Sequence, residues 1–189
     1  MEKFITIVSG LPRSGTSMLM NMLEAGGMEI LTDNLRTADE DNPKGYYEFE
    51  AVKQLEEDQE WLPDAQGKVV KIISQFLKQL PPRYEYKVIF MRRKMEEILA
   101  SQKQMLLRRG APTDAVSDET IAELFQKHLT QIEAWLAEQS NFEVLYIHYS
   151  ETLVKPAETA EQINEFLGGS LDTEKMNSVV DKSLHRQRS

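Results

Sequence analysis

The chain has 189 residues, of which 41% are hydrophobic and 28% charged, enough for one globular domain with a sizeable core, expected to span residues 1–189. Its net charge of −9 leaves no broad basic face for nucleic acid, yet does not oppose a small anionic ligand held by local cations such as Arg13, Arg92 and Arg93. The absence of cysteine excludes disulfides and thiolate metal sites, and the three histidines form no His-x-x-x-His pair.

The chain opens on Met1-Glu2-Lys3 without the form of a signal peptide, and no apolar run reaches the length of a membrane span. A cytoplasmic location and no membrane partner are the expectation. Phe4-Ile5-Thr6-Ile7-Val8 is an apolar, β-branched run that reads as a buried strand. A sharp turn follows through Ser9-Gly10-Leu11-Pro12-Arg13-Ser14-Gly15, and then Met18, Leu19, Met22 and Leu23 recur near the helical period. Strand, glycine-bounded loop and helix make a phosphate cradle: the glycines permit tight backbone, and the first N–H groups of the helix point at an anion that its dipole favours. Gly10-x-x-x-x-Gly15 followed by the hydroxyls of Thr16 and Ser17 has the spacing of a P-loop. The lysine that follows the second glycine in triphosphate-binding loops is Thr16 here, and the cation comes earlier, as Arg13.

Gly26-Gly27 stops the first helix, and Met28 to Leu31 suits a short strand. Thr32 to Tyr46 is a polar, acidic loop with Asp39-Glu40-Asp41 and the turn signal Asn42-Pro43-Lys44-Gly45, read as a lid or acceptor-side loop or else a solvated surface loop. A helix is expected through Val52, Leu55 and Gln59, closed by Trp61-Leu62-Pro63. Lys68 to Ile73 and Tyr86 to Met91 read as buried strands, the second ending on Arg92-Arg93. Met95 to Arg109 and the stretch after Ser117 are helical, the latter with Ile121, Leu124, Phe125, His128, Leu129, Ile132, Trp135 and Leu136 on one stripe. Phe142 to His148 alternates into a strand, and Pro156 to Leu167 is a helix ended by Gly168-Gly169. Alternating strands and helices specify an α/β fold: three layers, a mostly parallel sheet flanked by helices. Ligands of such sheets bind beyond the carboxyl ends of the strands, where the loop, Lys71 and Arg92-Arg93 all fall.

Pro12-Arg13-Ser14-Gly15-Thr16-Ser17 resembles the loop of the P-loop-containing sulfotransferases that use 3'-phosphoadenosine 5'-phosphosulfate (PAPS), in the manner of a small bacterial-type member. The family holds the 3'-phosphate with an Arg at a strand end and a Ser eight residues on, the spacing of Arg93 and Ser101; its usual Pro two residues after the Arg is Met95 here. Tyr146 to Leu153, Pro156 and Phe166-Leu167-Gly168 look like its closing strand and helix. The resemblance implies PAPS as sulfuryl donor, no metal, and an unidentified hydroxyl or amine acceptor. It implies that Pro12, Arg13, Ser14, Gly15, Thr16, Ser17, Arg93 and Ser101 bind the nucleotide. Arg13 and Lys71 would also act in catalysis, Lys71 resembling the lysine of the family's Lys-Thr-His strand end, whose His would fall at Ile73. The base must therefore lie elsewhere: Glu48 is the first candidate, Glu50 and Asp39 the next, and an acidic helix start is the plain alternative for Glu48. His128 is expected as a hydrogen-bonded core residue. Arg186 and Arg188 would either close over the nucleotide or belong to a basic tail. A nucleotide-dependent kinase and a non-catalytic nucleotide-binding module are the competing readings.

Overall fold

The computed structural model describes residues 4–33, 45–113 and 116–181. Asp39 with its acidic neighbours, the turn at 42–44, His185, Arg186 and Arg188 lie outside the described residues.

Five strands, β1 (Phe4–Gly10), β2 (Ile30–Leu31), β3 (Val69–Lys71), β4 (Glu85–Arg92) and β5 (Phe142–His148), form one sheet in the order β2-β3-β1-β4-β5. Every pairing is parallel. β1 lies in the middle because its apolar run has no solvent-facing side: Ile5 to Gly10 are all buried. A parallel strand buried on both faces needs helices above and below it, and two cores result. Ile5, Ile7, Val70, Ile72, Val88 and Phe90 point one way, toward Leu77, Ile132 and Leu136. Val8, Ile89, Met91 and Ile147 point the other way, toward Leu19, Met20, Met22, Leu23, Ala160 and Ile163.

The helices are α1 (Thr16–Ala25), α2 (Met95–Arg108), α3 (Asp118–Glu138), α4 (Tyr149–Val154), α5 (Pro156–Phe166) and α6 (Thr173–Ser178). α1, α5 and α6 cover one face of the sheet. α3, with short 3-10 turns at Leu62–Ala65 and Ser74–Gln79, covers the other. Ser117 caps α3 as its type suggests, its hydroxyl accepting from the Thr120 N–H at 3.2 Å. No described helix is long and apolar enough to cross a membrane.

The register sets the site. Gly10 stands opposite Met91, Val8 opposite Lys71, and Arg92 opposite His148, so the ends of four strands share the carboxyl edge with the loop after β1.

Two local expectations change, and two short helices are added. The helix expected through Gln59 is only a 3-10 turn at Glu50–Gln54. Long-range ties override the period there: the Glu50 N–H donates to Asp33 Oδ2 at 2.6 Å, and the Gln59 amide donates to the carbonyls of Leu55 (3.1 Å) and Gln79 (3.2 Å). The stripe of α3 is buried only in its second half. Glu133 meets Arg92 at the end of β4, so the first half projects past the sheet edge and leaves Leu124 60% exposed. α4 and α6, six residues each, are too short to show a period in sequence.

This division of α3 has a measurable consequence. Leu136→Ala, at a side chain only 2% exposed, is expected to cost about 2–5 kcal/mol in urea unfolding, and Leu124→Ala less than about 0.5 kcal/mol. Equal costs would place the two on one buried stripe.

Candidate functional site

The turn between β1 and α1 is built from backbone that most residues avoid. Gly10 has φ 149°, and a Cβ there would lie 2.6 Å from Ser14 Oγ and 2.7 Å from the Met91 carbonyl oxygen. Gly15 has φ 106°, and a Cβ there would lie 2.5 Å from Cδ2 of Tyr149. Between them Arg13 sits at φ 68°, a left-handed conformation that costs a side-chain-bearing residue about 1–2 kcal/mol. The Ser14 N–H closes the turn on the Leu11 carbonyl at 3.2 Å. The first turn of α1 then faces the loop with N–H groups that a helix cannot satisfy internally. Ser14 Oγ is buried and has no hydrogen-bond partner among the described residues. Pro12 is exposed on the rim, Thr16 is buried at the base, and Ser17 is half-buried.

Arg93, just past β4, reaches this turn from the side. Its Nη1 donates to the Arg13 carbonyl at 3.1 Å, and its Nε donates to Glu97 Oε2 at 2.8 Å. The guanidinium lies 4.1 Å from the ring centroid of Tyr149. Arg13 in turn donates from Nε to Ser101 Oγ at 3.0 Å. The eight-residue interval from Arg93 to Ser101 thus has a structural meaning: Arg93, Glu97 and Ser101 follow one another at spacings of four around the start of α2, so all three face the loop. These bonds use only part of the five-donor fork of Arg93.

Lys71, the last residue of β3, approaches from the opposite side. Its Nζ donates to Ser17 Oγ at 3.2 Å and to the Tyr46 carbonyl at 2.8 Å. Arg13, Ser17, Lys71, Arg93 and Ser101, far apart in the chain, are thereby joined around one turn. Glu48 lies two residues past Tyr46, half-buried, with its carbonyl accepting from the Thr32 hydroxyl at 2.8 Å. Glu50 is turned to the surface, where it pairs with Lys53 at 2.6 Å.

Two participants escaped the sequence reading. Glu97 was legible in principle, because an acid four residues after an Arg on a helix is a standard ion-pair spacing. Tyr149 carried no local signal: it backs both Gly15 and Arg93 from 56 or more residues away. Burial pushes its phenol above the ordinary value of 10, against the lowering pull of Arg93. Arg92, by contrast, leaves the loop. It binds Glu133 at 3.1 Å and 2.7 Å and stacks 4.0 Å from the Tyr146 centroid. His128 Nε2 lies 2.8 Å from Ser74 Oγ, the hydrogen-bonded role expected of it, and burial together with the Lys78 charge lowers its pKa.

The residues fit a phosphorylated ligand. A buried hydroxyl with no partner among the described residues, a turn too tight for a Cβ and several converging cations are what a phosphate needs and what an apolar ligand would waste. Gly15→Ala is expected to lose about 1–3 kcal/mol of stability in urea unfolding, since the added methyl meets Tyr149 in a left-handed backbone. Full stability in that variant would show that the turn is not held against Tyr149.

Solved structures with this fold include sulfotransferase STF1 from Mycobacterium tuberculosis H37Rv, at 17% identity and a TM-score of 0.60 over 96% of this chain and 72% of that one. Mouse sulfotransferase SULT7A1 complexed with PAP matches at 19% identity and 0.58, over 100% and 68%. The sulfotransferase domain from the curacin biosynthetic pathway matches at 14% and 0.54, over 96% and 89%. No curated protein matches the sequence. The family described as Sulfotransferase domain matches residues 5–187, nearly the whole length, and by that match the chain belongs to the sulfotransferase domain family.

Proposed function

We propose that the protein transfers a sulfuryl group from PAPS to a hydroxyl or amine of a small acceptor. The observation that carries this reading is the double attachment of Arg13, to Arg93 through its carbonyl and to Ser101 through its guanidinium. It brings a second group of hydrogen-bonding side chains beside the loop, which supports a ligand phosphorylated at both 3' and 5' positions. Mouse SULT7A1 is described with PAP, and retinol dehydratase, another structure of this fold, with androsterone and inactive cofactor PAP; both lend support to the same donor here.

In this reading the α1 N–H groups, the Ser14, Thr16 and Ser17 hydroxyls and the Gly15 turn hold the 5'-phosphate, with Pro12 shaping the rim. Arg93 and Ser101 hold the 3'-phosphate. When bound, the donor supplies the activated sulfuryl group. Arg13 and the Lys71 ammonium stabilise negative charge that gathers at the phosphate side. Preorganised donors of this kind act without reorganising during the reaction. Glu48, on the segment that Lys71 holds through Tyr46, accepts the proton of the acceptor. A nucleotide and a small acceptor are the only partners this reading needs, in a cytoplasmic setting.

Calorimetric titration with adenosine 3',5'-bisphosphate, in parallel with ATP plus Mg²⁺, tests the donor. The bisphosphate is expected to bind, and Arg93→Ala to weaken it by about 2 kcal/mol, roughly thirtyfold. Binding of ATP with Mg²⁺ but not of the bisphosphate would replace the proposal with a kinase. Transfer of labelled sulfuryl from PAPS to a panel of phenols, alcohols and amines tests the chemistry. Glu48→Gln is expected to lower kcat by about 10²- to 10⁴-fold with bisphosphate affinity unchanged. An unchanged kcat removes Glu48 as the base, and binding without transfer to any acceptor favours a non-catalytic module.

A further inference from the structure

The segment from Gly45 to Phe49 is strapped along α1 by side chains, of which Asn21, Glu24 and Tyr47 have no part in the proposed reaction. Ser17, Asn21 and Glu24 stand at spacings of four and three, on one stripe of the helix. Leu19, Met20, Met22 and Leu23 are buried in the core. At one end of the polar stripe, Ser17 Oγ accepts from Lys71 Nζ at 3.2 Å. At the other end, the Tyr47 hydroxyl donates to Glu24 Oε2 at 2.7 Å and lies 3.5 Å from Asn21 Oδ1. The strap joins the two ends, because the carbonyl of Tyr46, next to Tyr47, is the second acceptor of Lys71 Nζ, at 2.8 Å.

Tyr47 itself has φ 52°, a backbone conformation that a tyrosine does not choose and that persists only where surrounding contacts over-determine it. Its ring packs against the core on the α1 side, and its hydroxyl bonds to Glu24 on the surface of that helix. The strap is held independently further along, by the Thr32 hydroxyl on the Glu48 carbonyl and by Asp33 on the Glu50 N–H.

We propose that Tyr47, latched to Glu24 and Asn21 of α1, is a positioning residue that sets the Tyr46 carbonyl and through it holds the Lys71 ammonium at Ser17, on the rim of the anion loop. What Lys71 does there rests on the reading under Proposed function; the latch itself rests on the contacts alone. A lysine has a long flexible stem and a compact charge. Two fixed acceptors turn it from a mobile cation into a preorganised one, which raises the affinity for an anion by removing an ordering cost from the binding step. The latch also ties the strap that carries Glu48 to the helix that faces the anion.

Tyr47→Phe tests this, since it keeps the ring and removes only the hydroxyl. The first arm is a double-mutant cycle of Tyr47→Phe with Lys71→Ala on calorimetric affinity for adenosine 3',5'-bisphosphate. Tyr47→Phe is expected to weaken binding roughly threefold to tenfold on its own and to have no further effect once Lys71 is Ala. The same loss in both backgrounds would overturn the proposal, because an effect that bypasses Lys71 is merely structural. The second arm uses no nucleotide: the rate at which acetic anhydride labels Lys71, read by peptide mass spectrometry, is expected to rise in Tyr47→Phe and in Glu24→Ala, with distant Lys103 labelling unchanged as the internal control. An unchanged Lys71 rate would overturn the latch. Should the wild-type protein bind no bisphosphate, the donor reading falls while the labelling arm still decides the latch.

Discussion

The structure depends on one residue held at both ends. The Arg13 carbonyl accepts from Arg93, and its guanidinium donates to Ser101, so the apex of the β1–α1 turn is fastened to the end of β4 and to the second turn of α2. That fastening works only with the observed strand register. A slip of two residues between β1 and β4 would carry Arg93 about 6.6 Å along the strand, far outside hydrogen-bond reach. The register is in turn secured by the two cores, because the alternating side chains of β1 and β4 fill opposite layers. Burial in the middle of the sheet, the pairing of β1 with β4 and the shape of the β1–α1 turn are therefore one constraint seen at three scales.

Charge is arranged around the same point. Arg93 and Glu97 form a pair with side chains only 8% and 4% exposed, and such burial costs each ion its hydration. The pair is better understood as holding a guanidinium in a set orientation than as a source of stability. Tyr149 completes the arrangement, with its ring against the Arg93 guanidinium and its edge against the place where Gly15 has no Cβ. The chain as a whole is acidic, yet the rim of the loop gathers Arg13, Arg93 and Lys71. Local placement, rather than net charge, suits it to an anion.

Much of this was legible in the sequence because it is local. The strand, the glycine-bounded turn and the helix lie within residues 4–25, and the Arg93–Ser101 interval, marked in the sequence by the family resemblance, is one that the helical repeat places on one face. Non-local partnership was not legible. Nothing near Tyr149 announces that it will back Gly15, and nothing near Tyr46 announces that its carbonyl will receive Lys71. The residues from Val52 to Gln59 carry a helical apolar pattern, but the Glu50 N–H just before them is bound to Asp33 and Gln59 at their end to Gln79, so tertiary hydrogen bonds decide their form. In α3 the period was right and the depth was not: periodicity names a face, while the length of the sheet beneath decides how much of that face is covered.

In the proposed reading the turn at Arg13 joins two phosphate sites, one at the helix start and one at Arg93 with Ser101. The most direct measurement compares adenosine 3',5'-bisphosphate with adenosine 5'-phosphate on the wild-type protein and on Arg93→Ala, four dissociation constants in all. The wild type is expected to prefer the bisphosphate by about tenfold or more and the preference to collapse in the variant, while the monophosphate binds both nearly alike. A variant that weakens both ligands by the same factor would contradict it, since Arg93 would then shape the loop without reading a second phosphate.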